Sequence, residues 1–286
     1  METIKAIIEK NKQNDVLTPQ LMATLDPAEE CLKDGDIYCL KCMTRRTCFG
    51  FTKKVRCLCK CQAEARQKEE DERERRNTIQ RIESLRRASL LGDQYKNVSF
   101  EKTDLYNAKY AAIFARCEKY CQVYKEVLEK GHGIYLFGDP GTGKTHIAAC
   151  MANALINKGC SVLYTNLNEI SKAIRATYNK SAETELDFML KLKKIEFLFI
   201  DDFGTERVAK DNQDLWLQEK VFEIVNTRYN DKKPIIFTSN YALQEMVQDR
   251  GLSTKTADRI GQTCAIMELR GESYRKKAKN ETKFAF

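Results

Sequence analysis

The sequence predicts an α/β fold: a parallel sheet covered by helices, preceded by a small cysteine-rich module and a charged helical linker. Three observations point to it. Short, continuously apolar runs alternate with helix-length segments from about residue 108 onward. A glycine-rich stretch, residues 138–145, joins one of those apolar runs to a helical one. Seven of the twelve cysteines lie before position 62. Strands that read as unbroken apolar runs are buried on both faces, which is the condition of a helix-covered parallel sheet.

Bulk properties narrow the class. A chain of 286 residues with 42% hydrophobic content has room for one large domain and a smaller module, and enough apolar material for a real core. A formal charge of +8 suits a nucleic-acid partner without requiring one. Residues 1–14 are polar and mixed in charge, with no apolar signal core. The longest apolar runs, such as 195–200, are strand-sized, so no membrane span is expected. Twelve cysteines without an export signal indicate a reducing, cytoplasmic setting, where clustered thiolates bind metal more often than they pair as disulfides.

Residues 1–61 carry the clustered cysteines. Cys39 and Cys42 form a C-x2-C knuckle, and Cys57, Cys59 and Cys61 form a second cluster after a short basic loop. Tetrahedral Zn²⁺ takes four thiolate or imidazole ligands, and the nearest histidine is His132, so a four-cysteine site is expected. The expected ligands are Cys39, Cys42, Cys59 and Cys61, with Cys57 as the alternative, because alternate residues do not all face one metal. Cys31 and Cys48 fall outside the set. So small a fold buries little core, and metal would supply much of its stability. Arg45, Arg46, Lys53, Lys54, Arg56 and Lys60 surround the cluster, either as a solvated rim or as contacts to nucleic acid.

Residues 62–92 change character abruptly. Both signs of charge are interleaved, as in Glu69-Glu70-Asp71-Glu72-Arg73-Glu74-Arg75-Arg76, which describes a solvated helix laced with i,i+4 ion pairs. Ile79, Ile82, Leu85 and Leu90 form a narrow apolar stripe suited to packing on the protein's own core or to docking a partner.

Residues 93–286 hold the alternating elements. A helix is predicted over 108–129, then strands at 134–137, 160–165, 197–200 and 234–238, with helices over 146–152, 167–194 and 215–229 between and after them. Ligands of such sheets lie at the carboxyl ends of the strands, where Gly138, Asp201 and Asn240 all fall. The remaining cysteines, Cys117, Cys121, Cys150, Cys160 and Cys264, sit in apolar or helical surroundings and read as small core residues.

The stretch Gly138-Asp139-Pro140-Gly141-Thr142-Gly143-Lys144-Thr145 fits G-x-x-x-x-G-K-S/T between a strand and a helix. Its glycines let backbone N–H groups turn inward around a triphosphate. The helix N-terminus adds positive potential, Lys144 reaches the outer phosphates, and the Thr145 hydroxyl ligates Mg²⁺. Four apolar residues run straight into Asp201-Asp202. Asp201 is assigned to the metal and Asp202 to orienting or deprotonating an attacking water. Asn240, after the fourth strand, suits a hydrogen bond to that water or to the γ-phosphate. His146 and His132 read as packed or capping histidines rather than catalytic ones.

The ordered set GDPGTGKTHIA, FLFIDDFGTE, NTRY, PIIFTSN, ADRI and GESYR, over residues 97–277, resembles the AAA+ ATPases of the helicase-loader family. That family includes bacterial DnaC and DnaI loaders and the related IstB transposition ATPases. A cysteine-bearing module ahead of such an ATPase is most similar to the DnaI-type and phage-encoded loaders. The resemblance implies ATP as the nucleotide and the sensor 1 role for Asn240. It also implies a trans arginine finger at Arg259 in a homo-oligomer and the sensor 2 position for Arg275. An arginine beside a transferring phosphoryl group supplies a bidentate cation where charge develops. Arg228 recurs in the pattern without an assigned role. Many relatives carry Asp-Glu where this chain has Asp201-Asp202; the shorter side chain implies slow turnover, suited to a switch.

The resemblance places the insertion between the second and third strands near single-stranded DNA. Lys172, Arg175, Lys180, Lys191, Lys193, Lys194 and Tyr178 there suit sequence-tolerant backbone contact and stacking, or an ordinary charged helix face. The implied function is an ATP-dependent loader of a hexameric, DnaB-type replicative helicase. The alternatives are an IstB-like transposition helper and a nucleotide-gated adaptor with negligible turnover.

Overall fold

The computed structural model describes residues 17–49, 54–103, 108–178, 184–205, 212–271 and Ser273. Arg275, Lys53 and Lys180 lie outside the described residues. The chain divides into two compact units, Met1–Ile79 and Gln80–Phe286.

The first unit opens with α1 (Pro19–Ala23), whose orphan N–H at Leu21 is taken by the Thr18 side chain. Two antiparallel hairpins follow, β1 (Glu30–Lys33) with β2 (Asp36–Cys39), and β3 (Thr47–Phe49) with β4 (Lys54–Arg56). Asp34-Gly35 closes the first hairpin with φ values of 51° and 75°, the left-handed pair that matches strand twist. Buried ion pairs stand where a larger domain would have apolar core. Glu30 receives Arg56, and Arg46 at 2.6 Å, while Asp36 receives Lys54 at 3.0 Å and Thr47 at 2.6 Å. The Arg56 guanidinium holds the Glu30 carboxyl down at about 2. The expected basic rim is therefore partly internal: Arg46, Lys54 and Arg56 face these carboxylates, because a buried cation persists only when paired.

Helix α2 (Lys60–Ala88) runs 29 residues with no buried side chain among them, and the division between the units falls within it. Within the second unit, Ile82 and Leu85 pack on the apolar core, so this part of the stripe serves the chain itself. Leu90 stays 67% exposed, outside that contact. Arg86 donates to Asn153 Oδ1 at 3.2 Å and Asn157 Oδ1 at 2.9 Å, fixing the end of the helix.

The second unit holds a five-stranded parallel sheet in the order β6-β7-β8-β5-β9. Its strands are β5 (Gly133–Gly138), β6 (Val162–Asn166), β7 (Phe197–Phe203), β8 (Ile235–Ser239) and β9 (Cys264–Leu269). β9 was not expected from the sequence. It is an edge strand whose Ala265, Ile266 and Glu268 are exposed, so it lacks the unbroken burial of its neighbours. The segment expected as one helix over 108–129 is broken into α3 (Ala108–Gln122) and α4 (Tyr124–Lys130). Similarly, 167–194 resolves into α6 (Leu167–Thr177) and α7 (Glu185–Lys194), the latter started by a capping box between Thr184 and Asp187.

Each sheet face has its own core. On one, Leu136, Phe199 and Ile236 meet α3 and α5 (Lys144–Asn157), together with Cys117, Cys121 and Cys160. On the other, Tyr135, Ile200 and Phe237 meet α6, α8 (Asn212–Asn230), α9 (Leu243–Gln248) and α10 (Thr254–Thr263). All five cysteines expected as core residues are buried. Arg228 has a structural role that its motif did not disclose. It is 1% exposed and donates to the carbonyls of Leu192, Ile195, Glu196 and Pro234, stitching the end of α7 to the starts of β7 and β8. Among the described residues, no helix is long and apolar enough to cross a membrane.

Candidate functional site

The carboxyl ends of β5, β6, β7 and β8 share one edge of the sheet, because the strands are parallel and in close register. Gly138 ends β5 with φ 142°, and a Cβ there would lie 2.0 Å from the Leu269 carbonyl oxygen. Only glycine lets the chain turn out of the sheet so close to β9. Gly143, at φ 91°, is the residue from which α5 departs, so the loop ends on a helix N-terminus. The Asp139 N–H bonds Leu269 O at 3.2 Å and its carboxylate accepts from Gly271 N at 3.2 Å, fastening the loop to the exit of β9. Thr142 closes the turn by donating to Asp139 O at 2.8 Å, while Pro140 is exposed and Gly141 takes a φ of 84°.

Lys144 is only 6% exposed. Its ammonium lies inside the loop, 2.8 Å from the carbonyl oxygens of both Gly138 and Asp139. Next to it, the Thr145 hydroxyl donates to Asp201 Oδ1 at 3.1 Å. The Thr238 hydroxyl donates to that same oxygen and accepts from the Asp202 N–H at 3.0 Å. Burial pushes the Asp201 carboxyl up from its ordinary value, against the pull of these donors. Two hydroxyls aimed at one half-buried carboxylate oxygen make a hard-oxygen site beside a helix N-terminus, a donor set that fits Mg²⁺.

The sheet register breaks between Ile200 and Phe203, and Asp202 takes a left-handed φ of 49°. The two carboxylates consequently differ in setting: Asp201 is partly buried against Thr145 and Thr238, whereas Asp202 is exposed. Ser239 donates to Phe203 O at 2.7 Å and accepts from Tyr241 N at 3.0 Å, which fixes the turn carrying the partly buried Asn240. Thr238 is the residue that sequence reasoning passed over; its place two residues before Asn240 was the available signal. His146 bonds Thr103 Oγ1 at 2.9 Å through its Nε2, as expected of a packed histidine.

Arg259 is held on α8 and α10. Its Nε donates to Asn226 Oδ1 at 2.7 Å, and its guanidinium lies 5.0 Å from the Phe222 ring centre and 5.6 Å from that of Tyr229. In the insertion, Lys172 pairs with Glu169 at 2.9 Å and Lys193 with Asp231 at 3.1 Å. Arg175 covers the Trp216 ring at 5.1 Å, and Tyr178 is 56% exposed.

In the first unit, the thiol sulfurs of Cys39, Cys42, Cys59 and Cys61 all lie within 4.8 Å of one another. Cys39 and Cys61 are 3.6 Å apart and Cys59 and Cys61 3.2 Å, against about 3.8 Å for sulfurs placed tetrahedrally about zinc. Cys59 and Cys61 both face the cluster because the chain turns from extended backbone into α2 at Lys60, so side-chain alternation no longer applies. Cys57 points elsewhere, with its sulfur 3.8 Å from Arg45 O. The Thr44 hydroxyl, 2.9 Å from Cys42, holds that thiol down at about 5, whereas neighbouring Cys59 pushes Cys61 up to about 12. Four sulfurs so close share negative charge comfortably only around a cation, and the donor set fits Zn²⁺.

Comparison with known proteins places this geometry in a lineage. The chain is 32% identical over 160 residues to an insertion sequence ATP-binding protein of Sinorhizobium fredii, covering 54% of this chain and 51% of that protein. It is 30% identical over 155 residues to the replicative helicase loader DnaC of Escherichia coli, covering 53% and 60%. The chain thus spans between half and three-fifths of the length of these relatives. Among solved structures, one described as the crystal structure of the DnaI matches with a TM-score of 0.51 at 24% identity, covering 64% of this chain and 94% of that one. The second unit therefore has the AAA+ fold, homologous both to helicase loaders and to insertion-sequence ATPases. Residues 69–282 match the model described as IstB-like ATP binding protein, and the chain belongs to that family.

Proposed function

We propose that this protein is an ATP-dependent loader of a hexameric, DnaB-type replicative helicase onto single-stranded DNA, with ATP acting as a switch. The observation that carries the reading is the four-cysteine cluster of the first unit, a module with its own metal chemistry attached to an ATPase domain homologous to DnaC. Zinc on Cys39, Cys42, Cys59 and Cys61 would hold that module's fold, leaving its surface to grip the helicase.

In the ATPase unit, the glycine-rich loop of residues 138–145, the helix N-terminus behind it and Lys144 bind and orient the β- and γ-phosphates. Thr145 and Asp201 would hold Mg²⁺, which neutralises phosphate charge when bound. Asp202, exposed and fixed through its N–H on Thr238, orients or deprotonates the attacking water. Asn240 positions that water against the γ-phosphate. Arg259, projected from α10 and braced on α8, supplies the cation at the site of a neighbouring copy. Turnover is slow, since positioning by a short carboxylate replaces the longer reach of a glutamate.

Co-purification with the hexameric helicase of the source organism, with and without ATP, tests the reading. Capture of the helicase supports it; failure in both conditions overturns it. The family match and the insertion-sequence relative favour a second reading, an IstB-like helper that binds a transposase, and capture of a transposase instead would select it.

A further inference from the structure

We propose that Arg250 is a positioning residue for hydrolysis, its guanidinium bolting the turn that carries Asp202 to the turn that carries Asn240; this rests on the nucleotide-site reading above. Arg250 lies in the short segment between α9 and α10, the helix that carries Arg259. Its Nε donates to Gly204 O at 2.7 Å and its Nη2 to Thr205 O at 2.6 Å. Both atoms lie on one edge of the rigid guanidinium, so a single side chain fixes two successive carbonyls. Its Cζ stands over the Tyr241 ring, 4.6 Å from the ring centre, and Tyr241 directly follows Asn240.

Both turns need such a tie. The Thr205 N–H bonds Asp202 O at 3.1 Å, closing the turn on which Asp202 sits at φ 49°. A left-handed φ on a residue with a side chain persists only where its surroundings hold it. The turn packs against α9: a Cβ on Gly204 would come 2.2 Å from Met246 Sδ, so that glycine brings the chain close enough for Arg250 to reach it. On the other side, Tyr135 donates its hydroxyl to Tyr241 O at 2.9 Å, anchoring the Asn240 turn to β5. The Arg250 segment is itself fixed, since the Leu252 N–H bonds Met246 O at 2.9 Å and the Gln218 amide donates to Gly251 O at 2.8 Å. Phosphate-loop residues take no part in these bonds. The tie therefore bears on the groups that address the attacking water, Asp202 and Asn240, and not on nucleotide binding.

The test is Arg250→Met, which keeps an apolar stem and removes the fork, beside Arg250→Lys, which keeps the charge as a single point. Phosphate release is followed against ATP concentration, and a fluorescent ADP analogue is titrated onto each protein. Both variants are expected to lose about tenfold or more in kcat while KM and analogue binding stay within about twofold of wild type, because misplacing a reacting group by about 1 Å slows the chemistry alone. In single-turnover phosphate release, the losses in Arg250→Met and Asp202→Asn should not add, since one acts through the other. Should Arg250→Met fail to fold, Arg250→Lys carries the same comparison. Wild-type kcat in Arg250→Lys, a parallel loss of analogue binding and kcat, or full additivity with Asp202→Asn would each overturn the inference. A wild-type chain that binds no nucleotide, or binds it without releasing phosphate, would sink the nucleotide-site reading itself and this inference with it.

Discussion

The Thr145 hydroxyl donates to Asp201 Oδ1 across 3.1 Å, joining the first turn of α5 to the carboxyl end of β7. Thr238 reaches the same oxygen from β8. Three elements far apart in sequence therefore meet at one carboxylate, and the first prediction tests the member of that set that no motif announces.

Thr238→Val keeps the side chain's shape and removes its hydroxyl, so Asp201 loses a donor and the Asp202 N–H loses its acceptor. ATP hydrolysis is expected to fall about tenfold or more, while nucleotide binding in EDTA stays near wild type. Steady-state phosphate release alongside nucleotide titration separates the two effects.

Metal content distinguishes the cysteines. The purified chain should carry one zinc, lost in Cys42→Ser and in Cys61→Ser but retained in Cys57→Ser, whose sulfur points away from the cluster. Elemental analysis reads this directly. Chelation should unfold the first unit while the second keeps its cooperative thermal transition, since the two have separate cores.

Replacing Arg228 by Met leaves the carbonyls of Leu192, Ile195, Glu196 and Pro234 without their buried donor. The ATPase unit should lose about 3–5 kcal/mol of stability in urea unfolding. A change below about 1 kcal/mol would mean that water or neighbouring groups replace the guanidinium.

Arg259→Ala and Lys144→Ala subunits should each be inactive alone and regain ATPase activity when mixed, because one retains a working phosphate loop and the other a working finger. No recovery at any mixing ratio counts against a site shared between copies.

Trp216 is the chain's only tryptophan, and Arg175 covers its ring. Single-stranded oligonucleotide should change its fluorescence in a salt-sensitive, sequence-tolerant way, and Arg175→Ala should abolish the response. An unchanged spectrum with bound DNA would place the DNA contact elsewhere.

The elements easiest to recognise in the sequence were those whose chemistry is local. The phosphate loop needs glycines at set intervals ahead of a helix, and four strands announced themselves as apolar runs buried on both faces. Strand β9 escaped notice because an edge strand exposes part of its length and breaks the run. The split between α6 and α7 escaped as well, since a capping box inside a charged segment looks like ordinary helix surface.

Residue types and spacing by themselves determined the class of this protein: a parallel sheet with a phosphate-binding loop, a carboxylate at a strand end, and thiols enough for a metal. Tertiary structure decided which groups meet. It placed Thr145 and Thr238 on Asp201, gathered Cys59 and Cys61 with the first knuckle while turning Cys57 away, and drew Arg46, Lys54, Arg56 and Arg228 inward. The physical reason is that a loop or strand pattern is a property of neighbouring residues. A hydrogen bond between β7 and β8, or a charge paired across two hairpins, depends on register and burial that exist only once the chain has folded.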